Sequence, residues 1–98
     1  MIEQLNCQVF SECLNSVFQV RTGGIGSLTL ELVEVKENST PRLERFTLLF
    51  RGPAAPQIQQ AIHHLAHEKL GEFDIFLVPV GPDDKGLCYE AIFNRFRE

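Results

Sequence analysis

The stretch QIQQAIHHLAHEKLG, residues 57–71, decides how this chain folds, because it satisfies two periods at once. As a helix, it places Ile58, Ala61, Ile62 and Leu65 in one apolar stripe, with Gly71 as a left-handed terminator. As a strand, it points His63, Leu65 and His67 one way and His64 and Ala66 the other. The choice carries chemistry, since all three histidines of the chain lie here. On a helix, His63 and His67 share a face at the spacing that suits a zinc ion. The metalloprotease order H-E-x-x-H is absent, however, and Glu68 follows the last histidine instead. On a strand, the same two side chains stand about 13 Å apart at about 3.3 Å per residue, too far for one ion. Short apolar runs are where periodicity discriminates least, so the local pattern leaves both readings open.

Around this stretch the chain is written mostly in period two. Only the opening is helical: NCQVFSECLN, residues 6–15, offers Asn6 as an N-cap and places Val9, Phe10, Cys13 and Leu14 at helical spacing. SVFQVRT (16–22) reads as a strand, and TGGIGS (22–27), with Gly23, Gly24 and Gly26, as a hairpin turn. In SLTLELVEVKE (27–37), Leu28, Leu30 and Leu32 share a face. The apolar set then moves to Val33 and Val35, a parity break that predicts a β-bulge or a passage between two sheets. NSTPR (38–42) is a turn, LERFTLLFRG (43–52) a strand with Phe46, Leu48 and Phe50 inward, and GPAAP (52–56) breaks it. EFDIFLVPVG (72–81) turns Phe73, Ile75 and Leu77 inward. Phe76 and Val78 are apolar on its other face, which predicts cover on both sides. Pro79 predicts a strand end or an edge. After the turn GPDDKG (81–86), LCYEAIFNRF (87–96) places Tyr89, Ala91 and Phe93 on one face. The sum is a mainly β fold: a small antiparallel barrel or sandwich of about six strands with a short N-terminal helix. The 98 residues form one β-domain, 1–98.

The bulk properties exclude several classes of function. A net charge of −4 and the lack of a basic run argue against nucleic acid. Arg95 and Arg97 in FNRFRE read as a solvated tail. No apolar run approaches the roughly 20 residues that span a bilayer, and MIEQLNCQVF lacks the features of a secretion signal. Cys7, Cys13 and Cys88 are odd in number with no C-x-x-C, which predicts reduced, buried thiols and a cytoplasmic location.

Three pieces taken together resemble a small, uncharacterised bacterial domain family: FTLLFRGP (46–53), LGEFDIFLVPVGPD (70–83) and YEAIFN (89–94). LNCQVFSECLNSVFQV (5–20) and LTLELVEV (28–35) fit the same pattern. In that family the segment before the LG pair reads as an extended strand, which maps onto Ala61, Ile62, His63, Leu65 and His67. His63 stands where an aromatic is usual and Glu68 where a proline is common. The resemblance therefore implies a strand over the disputed stretch. It implies that His67 bonds into the turn before Gly71 and that His63 packs like an aromatic. It implies a compact antiparallel β-domain with no established reaction. Such domains tend to be encoded near phage-tail-collar-like proteins, which suggests an accessory role in assembly.

No catalytic motif emerges. G-x-S-x-G is absent, and GGIGS (23–27) has neither the lysine nor the helix of a phosphate loop. Asp83 and Asp84 read as a solvated turn. Glu31, Glu34, Glu44 and Arg45 read as outward strand residues. The expected function is a non-enzymatic protein-interaction or assembly domain, with no cofactor. Its expected contact surface is the 51–58 loop, where Arg51, Gly52, Pro53 and Pro56 lead to Ile58 as an apolar tip. The expected partner is another protein, with strand addition at an exposed edge as the mode, and a homo-oligomer through such an edge as one form of it. The alternative is a small-ligand or metal-binding barrel that uses His63, His64 and His67.

Overall fold

The computed structural model describes residues 5–22 and 26–96. One helix, α1 (Cys7–Glu12), precedes six strands: β1 (Val17–Thr22), β2 (Gly26–Glu37), β3 (Leu43–Gly52), β4 (Ala61–His67), β5 (Gly71–Asp83) and β6 (Gly86–Phe96). All pairings are antiparallel, and the strands close into a ring in the order β1-β2-β3-β6-β5-β4. The stretch 61–67 is thus a strand, and it completes the ring. β4 pairs with β5 from Ala61↔Leu77 to His67↔Gly71, and with β1 through Gln19↔Ala66, Val20↔Leu65 and Arg21↔His64. The glycine-rich hairpin expected at Gly23 and Gly24 lies outside the described residues, as does Arg97.

Inward residues of every strand fill the ring. Val20, Leu30, Leu32, Leu48, Phe50, Leu65, Leu77 and Tyr89 have no exposed surface. A six-stranded ring is narrow enough that its own side chains occupy the axis. The parity break in β2 is a β-bulge: Leu32 pairs with Phe50 and Glu34 with Leu49, leaving Val33 as the extra residue. A second bulge follows Pro79, which pairs with Tyr89 while Gly81 pairs with Cys88. Pro79 therefore does not end its strand, which runs on to Asp83. β4 stops at Ala61 opposite Leu77, so beyond that point β5 carries no ladder on that side, and a proline is tolerated.

The helix is short because both ends are fixed. The Asn6 side chain accepts from the Val9 N–H at 2.9 Å. Asn15 adopts φ 69, the left-handed conformation that ends helices, and its N–H donates to the Leu32 carbonyl at 2.7 Å. Cys7, Phe10 and Cys13 are buried, whereas Leu14, expected on the apolar face, is 42% exposed. Six residues make too little helix to bury a full stripe, and the chain has turned away by position 14. Glu44 and Arg95 anchor the segment before the helix. They face each other across β3 and β6 at 2.8 Å. Arg95 donates to the Leu5 carbonyl, and the Glu44 carboxylate accepts from the Cys7 N–H. Glu44 is therefore an inward group at the mouth of the ring, not the outward strand residue its sequence position suggested.

Phe10 is what α1 delivers. Its ring lies 6.5 Å from Phe18 on β1, 6.0 Å from Phe46 on β3, 6.0 Å from Phe73 on β5 and 5.6 Å from Phe93 on β6. The ladder between β5 and β6 ends at Val78↔Glu90, so these strands diverge beneath the helix. Phe10 bridges Phe73 and Phe93 across that divergence. Replacement of Phe10 by Ala should lower stability by about 3–5 kcal/mol, the usual cost of emptying a buried phenylalanine site. Urea denaturation checks this, and a loss below about 1 kcal/mol would show that the ring holds without its plug.

Candidate functional site

The three histidines occupy three different environments. His67 is buried at the end of β4, 4.4 Å from the ring of Phe18. Its Nδ1 accepts from the N–H groups of Lys69 at 3.0 Å and Leu70 at 3.3 Å, which ties the turn before Gly71 as expected. With Nδ1 an acceptor, the proton of neutral imidazole sits on Nε2. Nε2 lies 2.8 Å from Ser16 Oγ and so donates to it, while the Ser16 hydroxyl donates to the Cys13 carbonyl. This is the reverse of what a serine nucleophile needs from its base. Burial lowers the His67 pKa below the ordinary value, which keeps the ring neutral. The groove beside it is lined by Glu12, Cys13, Glu68 and Lys69. Burial raises the Cys13 thiol, and likewise Cys7 and Cys88, so all three stay protonated and unreactive.

His64 points outward between two carboxylates of β5. Its Nε2 lies 2.7 Å from Glu72 Oε1 and its Nδ1 2.8 Å from Asp74 Oδ1. Arg21 approaches the other Glu72 oxygen at 3.8 Å. The bond to Glu72 first, and that to Asp74 second, raises the His64 pKa above 6.5. One carboxylate sits on each ring nitrogen, so the three groups share no common point for an ion. Among the described residues no three His, Cys, Asp or Glu converge to hold a metal. His63 does not pack like an aromatic: it stays partly exposed, with Nε2 2.7 Å from the Gln59 carbonyl. The strand geometry disperses the three side chains.

The 51–58 loop divides into structural and exposed parts. The Nε and Nη2 groups of Arg51 both donate to Asp83 Oδ2, at 2.8 and 2.6 Å. That bond, with the Lys85 N–H second, holds the Asp83 pKa down to about 2. Gly52 is buried, and a Cβ there would run into the Leu30 side chain, while a Cβ on Gly86 would collide with the Gly52 carbonyl. Ile58 is not an apolar tip. It is 5% exposed, packs in the core and donates its N–H to the buried Tyr89 hydroxyl at 3.1 Å. Pro53 through Gln57 remain exposed.

A different surface emerges on the outside of the ring. β5 turns Phe76 outward, paired with Ile62 on β4. Ile92 also faces outward, two residues along β6 from Glu90, the partner of Val78. Ile62 is 70% exposed, Phe76 49% and Ile92 59%. The next row holds Val78, Glu90 and Leu49, joined by the pairs Val78↔Glu90 and Leu49↔Glu90. The outer face of β5 was expected to be covered, and among the described residues nothing covers it. Its apolar residues are spread over three strands, which is why only the β5 part was visible as a sequence pattern.

The two titrating environments have opposite signs. For His64, stabilisation from the raised pKa is present below pH 6.5 and is lost as pH rises through the folded value. For His67, the folded state resists protonation, so stability declines as pH falls below 6.5 toward the folded value. Histidine NMR titration should give His64 a midpoint above 6.5 and His67 one below it. The reverse order would contradict the bonding described.

Comparison with curated proteins returned no match, and comparison with solved structures returned none. A family model matches residues 5–93, which take in α1, five whole strands and most of β6. The pieces at 46–53, 70–83 and 89–94 that carried the resemblance lie within it, save Asn94 at its edge. The chain belongs to this family, described as the domain of unknown function DUF6916.

Proposed function

We propose that this domain is a non-enzymatic protein-interaction module, and that the outer face of β4, β5 and β6 is its docking surface. One observation carries the reading: β5 is apolar on both faces, but the ring covers only one. Large exposed apolar patches on soluble folds mark contact sites, whereas singly scattered apolar residues do not. Ile62 and Phe76 pair on this face, Val78 follows on β5, and Ile92 stands outward on β6. The chemistry elsewhere supports the same reading. His67 has its proton on the wrong nitrogen for a base, burial keeps the thiols protonated, and Asp83 is committed to Arg51. Strand addition, the binding mode expected at an open edge, has no whole edge to use, because every strand has two neighbours in the ring. An accessory role in a multi-protein assembly of the phage-tail-collar kind is one setting for such a face.

The paired change Phe76→Ser and Ile92→Ser tests this reading. Both side chains are substantially exposed, so the unfolding free energy from urea titration should change by no more than about 0.5 kcal/mol per site. Quantitative mass spectrometry of proteins captured by the tagged domain from its native cells should show a stoichiometric partner lost with the paired change. A partner retained by that variant, and lost on substitution of Pro53 and Pro56, would move the contact to the loop.

A further inference from the structure

We infer that the protein docking on this face presents an arginine or lysine set among apolar side chains, and that the cation seats on Glu90. The inference rests on the docking reading above. Glu90 lies in the second row of the patch, paired with Val78 on one side and Leu49 on the other, with Ile92 two residues along its own strand. It is half-buried, and its carboxylate makes no hydrogen bond or ion pair among the described residues. The two nearest basic groups on the outer face of β3 do not serve it. Arg51 gives both Nε and Nη2 to Asp83. Arg45 pairs with Asn94, two rows away, about 13 Å along the strands at about 3.3 Å per residue.

A partner that covers the apolar row would remove the water from this carboxylate. A desolvated, unpaired carboxylate is strongly unfavourable, and a cation on the partner offsets that cost most directly. A cation framed by apolar contacts is also the arrangement in which interface arginines contribute most. A second copy of this chain is the competing occupant. Two-fold contact is isologous, so each patch meets the same patch. Centred on this face, it would bring Glu90 against the partner's acid or against hydrocarbon. The unpaired Glu90 therefore favours a different protein with a basic, apolar surface.

The test uses the full chain and a phage-displayed library of random dodecamer peptides. Selection on the wild-type domain, with depletion on the Phe76→Ser, Ile92→Ser variant, isolates peptides that read the face. These should be enriched in Arg or Lys beside apolar residues. Their affinity should fall at least ten-fold on Glu90→Gln, and Glu90→Asp should restore part of it. Face-dependent peptides without a basic residue, indifferent to Glu90→Gln, would overturn the cationic partner and leave the docking reading standing. Failure to recover any face-dependent peptide would overturn the docking reading itself. Sedimentation equilibrium of the wild-type chain should show a monomer. A dimer abolished by the Phe76→Ser, Ile92→Ser change would assign the face to a second copy instead.

Discussion

Closure of a six-strand ring around one aromatic side chain is the constraint on which the rest of the molecule depends. Strands β5 and β6 pair only from Val78↔Glu90 to the hairpin, and they part below it. Left alone, that divergence would admit water to Phe73 and Phe93. Phe10 fills it, in contact with aromatic residues from four strands. The Glu44–Arg95 pair then has a clear purpose. It holds the backbone at Leu5 and Cys7, and so fixes where the helix starts and where Phe10 points. A half-buried ion pair contributes little by itself, but satisfying two backbone groups at a barrel mouth adds orientation.

A ring this narrow has consequences for function. Its interior is committed to packing, and the polar groups near the core are committed to backbone. Tyr89 meets Ile58, and His67 meets Lys69, Leu70 and Ser16. What is left for recognition is the outside. There the sheet departs from the polar-out rule of half-buried antiparallel strands, most densely on β4, β5 and β6, where Ile62, Phe76, Val80, Ile92 and Phe96 are exposed, with Val17 exposed on β1. Ile62 and Phe76 pair across β4 and β5, and Ile92 stands outward on β6, across the divergence from Phe76. Charge is arranged around it: His64, Glu72, Asp74 and Arg21 satisfy one another on the neighbouring rows, whereas Glu90 has no such partner among the described residues.

Much of the fold was legible because period two is a direct consequence of pleating. The inward sets Phe46-Leu48-Phe50 and Phe73-Ile75-Leu77 are buried as read, and the parity break at Val33 is a bulge. The 57–71 stretch was ambiguous for a physical reason. Its apolar residues satisfy both periods, and pairing selects the strand, through the hairpin with β5 and the non-local ladder with β1. Pro79 misled only as a strand end, since β6 pairs past it; the edge it also signalled is there, because β4 stops opposite Leu77. Ile58 misled likewise: it sits among prolines and small residues, and its burial depends on Tyr89, thirty-one positions away. The outer apolar face was half legible. Phe76 and Val78 signalled a second covered surface, but that Ile62 and Ile92 lie beside Phe76 is a matter of register.

The claim that the ring is full inside and apolar on one outer face can be measured directly. Methyl relaxation enhancement by a soluble gadolinium chelate reports which side chains meet solvent. The account predicts strong enhancement at the methyls of Ile62 and Ile92, and almost none at Val20, Leu65 and Leu77. Enhancement at Val20 and Leu65 would show that the β1–β4 closure is open. Protection of Ile62 and Ile92 in the isolated domain would show that the face is already covered, and would contradict its assignment as a docking surface.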